Sequence, residues 1–139
     1  MRRWSFGHVI AVVAVAVTAA GCKATTPITP SPTPTPAVAE TFTGGIGVNG
    51  AMTFTFIAGT AGAVSATLST LAPDISLPVG LAMGTWNGTV CQIILPNDKA
   101  VQGTVVNGQT TAAASLCVRI SDTGSLTGPI TFEILVVHP

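Results

Sequence analysis

The stretch Ile75-Ser76-Leu77-Pro78-Val79-Gly80-Leu81-Ala82-Met83 places a large apolar side chain at every odd position and a small residue or proline at every even one. Successive side chains of an extended chain point to opposite faces, so this alternation predicts a strand over 75–83 with one buried face. The same period continues upstream. Met52, Phe54 and Phe56 alternate with Thr53 and Thr55, and Val64, Ala66 and Leu68 alternate with Ser65 and Thr67. Asn49-Gly50 predicts a tight hairpin between the first two apolar runs, and Gly59-Thr60-Ala61-Gly62 a second. Further strands are expected over 89–95, 102–106, 110–114, 116–121 and 130–137. In the last of these, Ile130, Phe132, Ile134 and Val136 face inward. Gly and Thr interrupt every stretch long enough for three helical turns. The expected class is all-β: a single antiparallel β-sandwich of about eight or nine short strands.

The chain before this domain reads differently. Arg2 and Arg3 precede an apolar run from Val9 to Ala20, and Val17-Thr18-Ala19-Ala20-Gly21-Cys22 closes it with small residues and a cysteine. This is the layout of a bacterial lipoprotein signal over residues 1–21, with Cys22 as the first mature residue and the site of lipidation. A spanning helix needs roughly 20 apolar residues, more than this run supplies. Ala19 stands where such signals usually carry Leu, which leaves an ordinary secretory signal as the alternative. Two or three acyl chains at Cys22 would hold the protein on a bilayer, each buried methylene contributing about 0.8 kcal/mol. Lys23, where an Asp would favour inner-membrane retention, points to the outer membrane. Residues 22–39 then form a Thr/Pro-rich tether without a hydrophobic face. Polyproline geometry gives it a reach of up to roughly 50 Å.

Residues 40–139 make one domain with sparse charge: Lys99 and Arg119 against Glu40, Asp74, Asp98, Asp122 and Glu133. Charged residues are 7% of the whole chain, against about 25% in ordinary soluble domains. Two cations cannot make a phosphate-neutralising patch, which excludes a nucleic-acid partner. With Cys22 assigned to lipid, Cys91 and Cys117 remain as a pair, and in an oxidising envelope they are expected to form a disulfide. In Leu116-Cys117-Val118-Arg119-Ile120 the apolar residues take one face and Cys117 the other. The bridge is therefore expected outside the main core, to a neighbouring strand.

Residues with chemical potential are few. His8 lies in the signal and His138 at the other end of the chain, where a solvated tail residue is expected, so no Ser/His/Asp set can be drawn. Asp74, Asp98 and Asp122 sit in sequences such as Pro96-Asn97-Asp98 and Asp122-Thr123-Gly124, where the carboxylate bonds its local backbone in a turn. Asn97, Asp98 and Asp122 are the weak calcium candidates, without a DxDxDG loop to organise them. Trp86, in Gly84-Thr85-Trp86-Asn87-Gly88, is read as a cap over one end of the sandwich, with ligand contact as the alternative: an indole that stacks on a sugar ring or a partner protein.

The succession of Thr53-Phe54-Thr55-Phe56, a glycine turn, Val64-Ser65-Ala66-Thr67-Leu68, and then Leu116-Cys117-Val118-Arg119-Ile120 followed by 130–137 resembles the bacterial pre-peptidase C-terminal domain. That resemblance covers most of 41–137 and implies a jelly-roll-like β-sandwich of the kind attached to secreted peptidases and other surface proteins. It carries over no site residue. Ala114-Ser115-Leu116 stands where the family has Gly-Thr-Tyr, and the family usually lacks the cysteine pair. The expectation is a non-catalytic, lipid-anchored envelope domain with a structural or protein-interaction role and no cofactor. A glycan- or calcium-dependent binding module is the alternative.

Overall fold

The computed structural model describes residues 36–139; the signal, Cys22 and the tether up to residue 35 lie outside the described residues. Eight strands follow in chain order: β1 (Val38–Ile46), β2 (Ala51–Ala58), β3 (Gly62–Ala72), β4 (Val79–Trp86), β5 (Cys91–Ala100), β6 (Val105–Thr110), β7 (Ala114–Ser121) and β8 (Ile130–His138). There is no helix among the described residues. β1 begins at Val38, two residues inside the stretch read as tether.

The strands form two four-stranded antiparallel sheets, ordered β1-β8-β3-β6 and β2-β7-β4-β5. This order is a jelly roll, in which the chain crosses repeatedly from one sheet to the other. Of the paired strands only β4 and β5 are consecutive in sequence. The two hairpins expected at Asn49-Gly50 and Gly59-Thr60-Ala61-Gly62 are therefore corrected: each turn carries the chain between sheets. Asn49 does adopt the left-handed conformation such a turn requires (φ 58°).

Between the sheets lies one core. Leu68 and Leu71 of β3, Leu81 of β4, Ile120 of β7 and Ile134 and Val136 of β8 are fully buried. The four alternating residues of β8, Ile130, Phe132, Ile134 and Val136, all face inward as the alternation requires. Phe42 stacks on Phe54 at 4.9 Å between ring centres, and Phe54 meets Phe132 edge-on at 6.1 Å.

Three strand boundaries differ from the sequence reading, each for a local reason. β4 starts only at Val79: Asp74 Oδ1 accepts hydrogen bonds from the Ser76 amide (2.8 Å) and hydroxyl (2.7 Å), turning the chain and leaving Ile75 61% exposed. β5 runs on through Pro96-Asn97-Asp98, which is not a free turn. As an edge strand it tolerates the proline, and a register shift opposite Gly80 absorbs one extra residue, with Asn97 Oδ1 accepting from the Lys99 amide at 3.1 Å. The strands expected over 102–106 and 110–114 are in fact one strand, β6, and the start of β7. Gly103 (φ 87°) makes the turn before β6, and Asn107-Gly108 lies within it.

Candidate functional site

Cys91 and Cys117 are bonded, with Cα atoms 5.8 Å apart. The bridge lies outside the main core cluster, yet Cys117 is fully buried. The strands it joins are not neighbours: β4 runs between β5 and β7. Cys117 is opposite Gly84, and Cys91 is opposite Trp86 two residues further along β4. Gly84 explains how the bridge can form. A Cβ there would fall 2.0 Å from the Gln92 carbonyl oxygen and 2.9 Å from the Ile93 Cα, so only glycine lets β5 come this close. Beside it, Ile94 has no partner on β4, because the register passes from Gly84 opposite Ile93 to Met83 opposite Leu95.

Two of the five acidic side chains among the described residues, Asp122 and Asp74, accept hydrogen bonds from backbone. Asp122 Oδ2 accepts from the Asn49 amide at 2.8 Å, and Oδ1 accepts from the amides of Gly124 (2.8 Å), Ser125 (3.0 Å) and Leu126 (3.1 Å). The bond from Asn49, with the other amides, holds the Asp122 carboxyl below its ordinary value, against a smaller opposing effect of desolvation. Asp122 thus ties the β1–β2 turn to the β7–β8 connection. The Ser76 hydroxyl, then the Ser76 amide, lower the Asp74 carboxyl in the same way. Asp98 is exposed on β5 beside Asn97, whose side chain is bonded to Lys99. No group of three or more His, Cys, Asp or Glu that could hold a metal ion occurs among the described residues.

His138 departs from the solvated tail residue expected of it. It is 3% exposed, its ring 5.2 Å from that of Phe56, and its Nε2 lies 2.8 Å from Glu40 Oε1. The adjoining Pro139 is also held, its oxygen accepting from the Gly59 amide at 2.8 Å. The reason is register: Val38 opposite His138 carries the inward alternation of β8 to its last residue. The alternation of 130–137 already held that signal, had it been extended by one position.

Glu40 faces a depression of about 400 Å³. Its lining includes Trp86, Ile57, Thr55 and Ser115, which come from three neighbouring strands of the second sheet. Trp86 ends β4 half-buried, and Ile57 is 69% exposed. An indole, a carboxylate already oriented by His138, and the hydroxyls of Thr55 and Ser115 share this surface. Such a surface can stack an apolar ring face and accept or donate hydrogen bonds at its rim. Sequence reasoning named Trp86; Glu40 and Ser115 carried no local signal, since strand order alone brings them to it.

A second cavity, of about 310 Å³, opens where β5 and β6 part at one edge of the sandwich. Phe56, Val64 and Met83, each 4% exposed, lie at its inner side, with Leu95 and Leu116 also lining it. No protein-family model matches the chain, and no curated protein matches it in sequence.

Proposed function

We propose that this protein is an envelope lipoprotein, anchored through Cys22 and carried on a Thr/Pro tether, whose jelly-roll domain is a non-catalytic recognition module. It would be of the same general kind as the pre-peptidase C-terminal domains it resembles in strand pattern. The supporting observation is the use to which its polar residues are put. Asp74 and Asp122 hold backbone turns, and His138 is buried against Phe56 and Glu40, so these two carboxylates and the imidazole serve the fold. The anchor is tested by the intact mass of membrane-extracted protein. Residues 22–139 plus acyl chains are expected, and an unlipidated chain released to the medium overturns it.

The depression at Trp86 favours a second, more specific reading, a glycan as the ligand. A sugar ring presents an apolar face to an indole and hydroxyls to Glu40, Thr55 and Ser115. Calcium has less support, because four amides already occupy the Asp122 carboxylate. Retention of the protein on immobilised envelope polysaccharide, lost in Trp86→Ala with the fold intact, is the expected result. Equal retention of both forms overturns the glycan reading and leaves the module a protein-binding one.

A further inference from the structure

We propose that the cavity between β5 and β6 is a binding site for the alkyl chain of a lipid-like amphiphile, distinct from the depression at Trp86. β5 is irregular beside this cavity. In a regular strand Ile94 and Leu95 would point to opposite faces. Ile94 is instead the unpaired residue of a bulge, between Ile93 opposite Gly84 and Leu95 opposite Met83, and both Ile94 and Leu95 line the cavity. A bulge that aims two consecutive apolar side chains at one opening is a device found beside binding sites.

Small residues on the opposite wall leave the space open. Across from β5, the segment Gly108-Gln109-Thr110-Thr111-Ala112-Ala113-Ala114 contains a glycine and three alanines, all lining the cavity. At Gly108 a Cβ would lie 2.8 Å from Leu95 Cδ1. Larger side chains in this segment would close the opening. Small ones keep about 310 Å³ available, roughly twice the volume of an apolar cavity that accommodates benzene.

Thr110, the buried hydroxyl of this wall, donates to the Ala112 carbonyl, and no buried side-chain nitrogen or oxygen among the described residues lacks a hydrogen-bond partner. The lining also carries Thr85, Gln109 and Thr111, while Phe56, Val64, Met83, Leu95 and Leu116 make its apolar wall. At the mouth Ile94, on the edge strand, is 62% exposed and offers an apolar approach. A chain entering there buries its methylenes against Met83, Phe56 and Leu116 and leaves its polar head in solvent.

The test uses decanoate as the probe and the full chain carrying Cys22→Ser, so that no acyl group at residue 22 competes. Methionine methyls are labelled with carbon-13. Met83 lines the cavity and Met52 does not. The expected result is a saturable shift of the Met83 methyl resonance with that of Met52 unmoved, and an affinity weakened about tenfold in Ala114→Leu, which fills the space. Ile94→Ser, at an exposed position that leaves the fold intact, is a second variant and is expected to weaken binding as well. The proposal is overturned if Met83 does not shift up to the solubility of decanoate, if Met52 and Met83 shift together, or if Ile94→Ser binds as tightly as the parent. An apolar peptide that shifts Met83 where decanoate does not also overturns it, in favour of a protein partner.

Discussion

Cys91 and Cys117 are joined across an intervening strand. β4 separates their strands in the sheet, yet their Cα atoms lie 5.8 Å apart, within the range of directly bonded neighbours. Strands two apart in a flat sheet would stand about 9.6 Å apart. The first residues of β5 therefore fold toward β7 over the glycine at position 84, and the bridge holds them there. Removing both cysteines by Cys91→Ala and Cys117→Ala is expected to lower stability by about 3.5 kcal/mol, the chain-entropy value for a separation of 26 residues. Urea denaturation of the two forms measures it.

Gly84→Ala is expected to be worse than a single cavity or a lost hydrogen bond. Its methyl would meet the Gln92 carbonyl oxygen at 2.0 Å, and this obstruction is backbone that no rotamer change can clear. A cost of about 3 kcal/mol or more is expected, with slower formation of the disulfide. Gly128→Ala is the control. A Cβ there meets nothing within 4 Å, and a change within about 0.5 kcal/mol is expected.

Acid should act through Asp122 and Asp74. Both carboxyls are held below their ordinary value of 3.8 in the folded chain. The unfolded state therefore binds protons first as pH falls. The stability these groups contribute is present above the unfolded value and is lost as pH drops through the lower folded one. The melting temperature of the parent is expected to fall between about pH 5 and pH 2, and that of Asp122→Ala to start lower at neutral pH and decline less. Parallel acid profiles for the two proteins would mean that Asp122 is not an acid-sensitive tie.

His138→Ala is expected to destabilise the domain by about 2–3 kcal/mol, since it opens space beside Phe56 and leaves Glu40 without its partner. Glu40→Gln keeps an acceptor facing Nε2 and is expected to cost under about 1 kcal/mol. Thermal melts of both variants separate this arrangement from a solvated tail, for which neither change would matter.

The chain contains three Asn-Gly pairs, and they show what a local signal can and cannot say. Asn87-Gly88 is the hairpin turn between β4 and β5: Asn87 Oδ1 accepts from the amides of Thr89 and Val90, and Gly88 has φ 98°. Asn49-Gly50 is a tight turn as well, but it sends the chain to the other sheet, where Asp122 holds it. Asn107-Gly108 is no turn at all. It pairs within β6 opposite Ser65 and Val64, and its glycine keeps clear of Leu95. The same two letters took three roles because only at Asn87-Gly88 are the flanking strands each other's partners; β2 and β6 pair with strands distant in sequence.

The sequence by itself determined the all-β class and the inward faces of β3, β4, β7 and β8, and it singled out Cys91 and Cys117 as the pair that the structure joins. Each of these follows from period-two alternation or from composition, which are properties of neighbouring residues. Only the tertiary structure decided which strands pair with which, the burial of His138, the passage of the disulfide across β4, and the meeting of Glu40, Ser115 and Trp86 in one depression. The physical reason is that backbone pairing is blind to side-chain identity along most of a strand. Which strands pair is settled by the joint burial of both sheets' inner faces, a property no single segment carries.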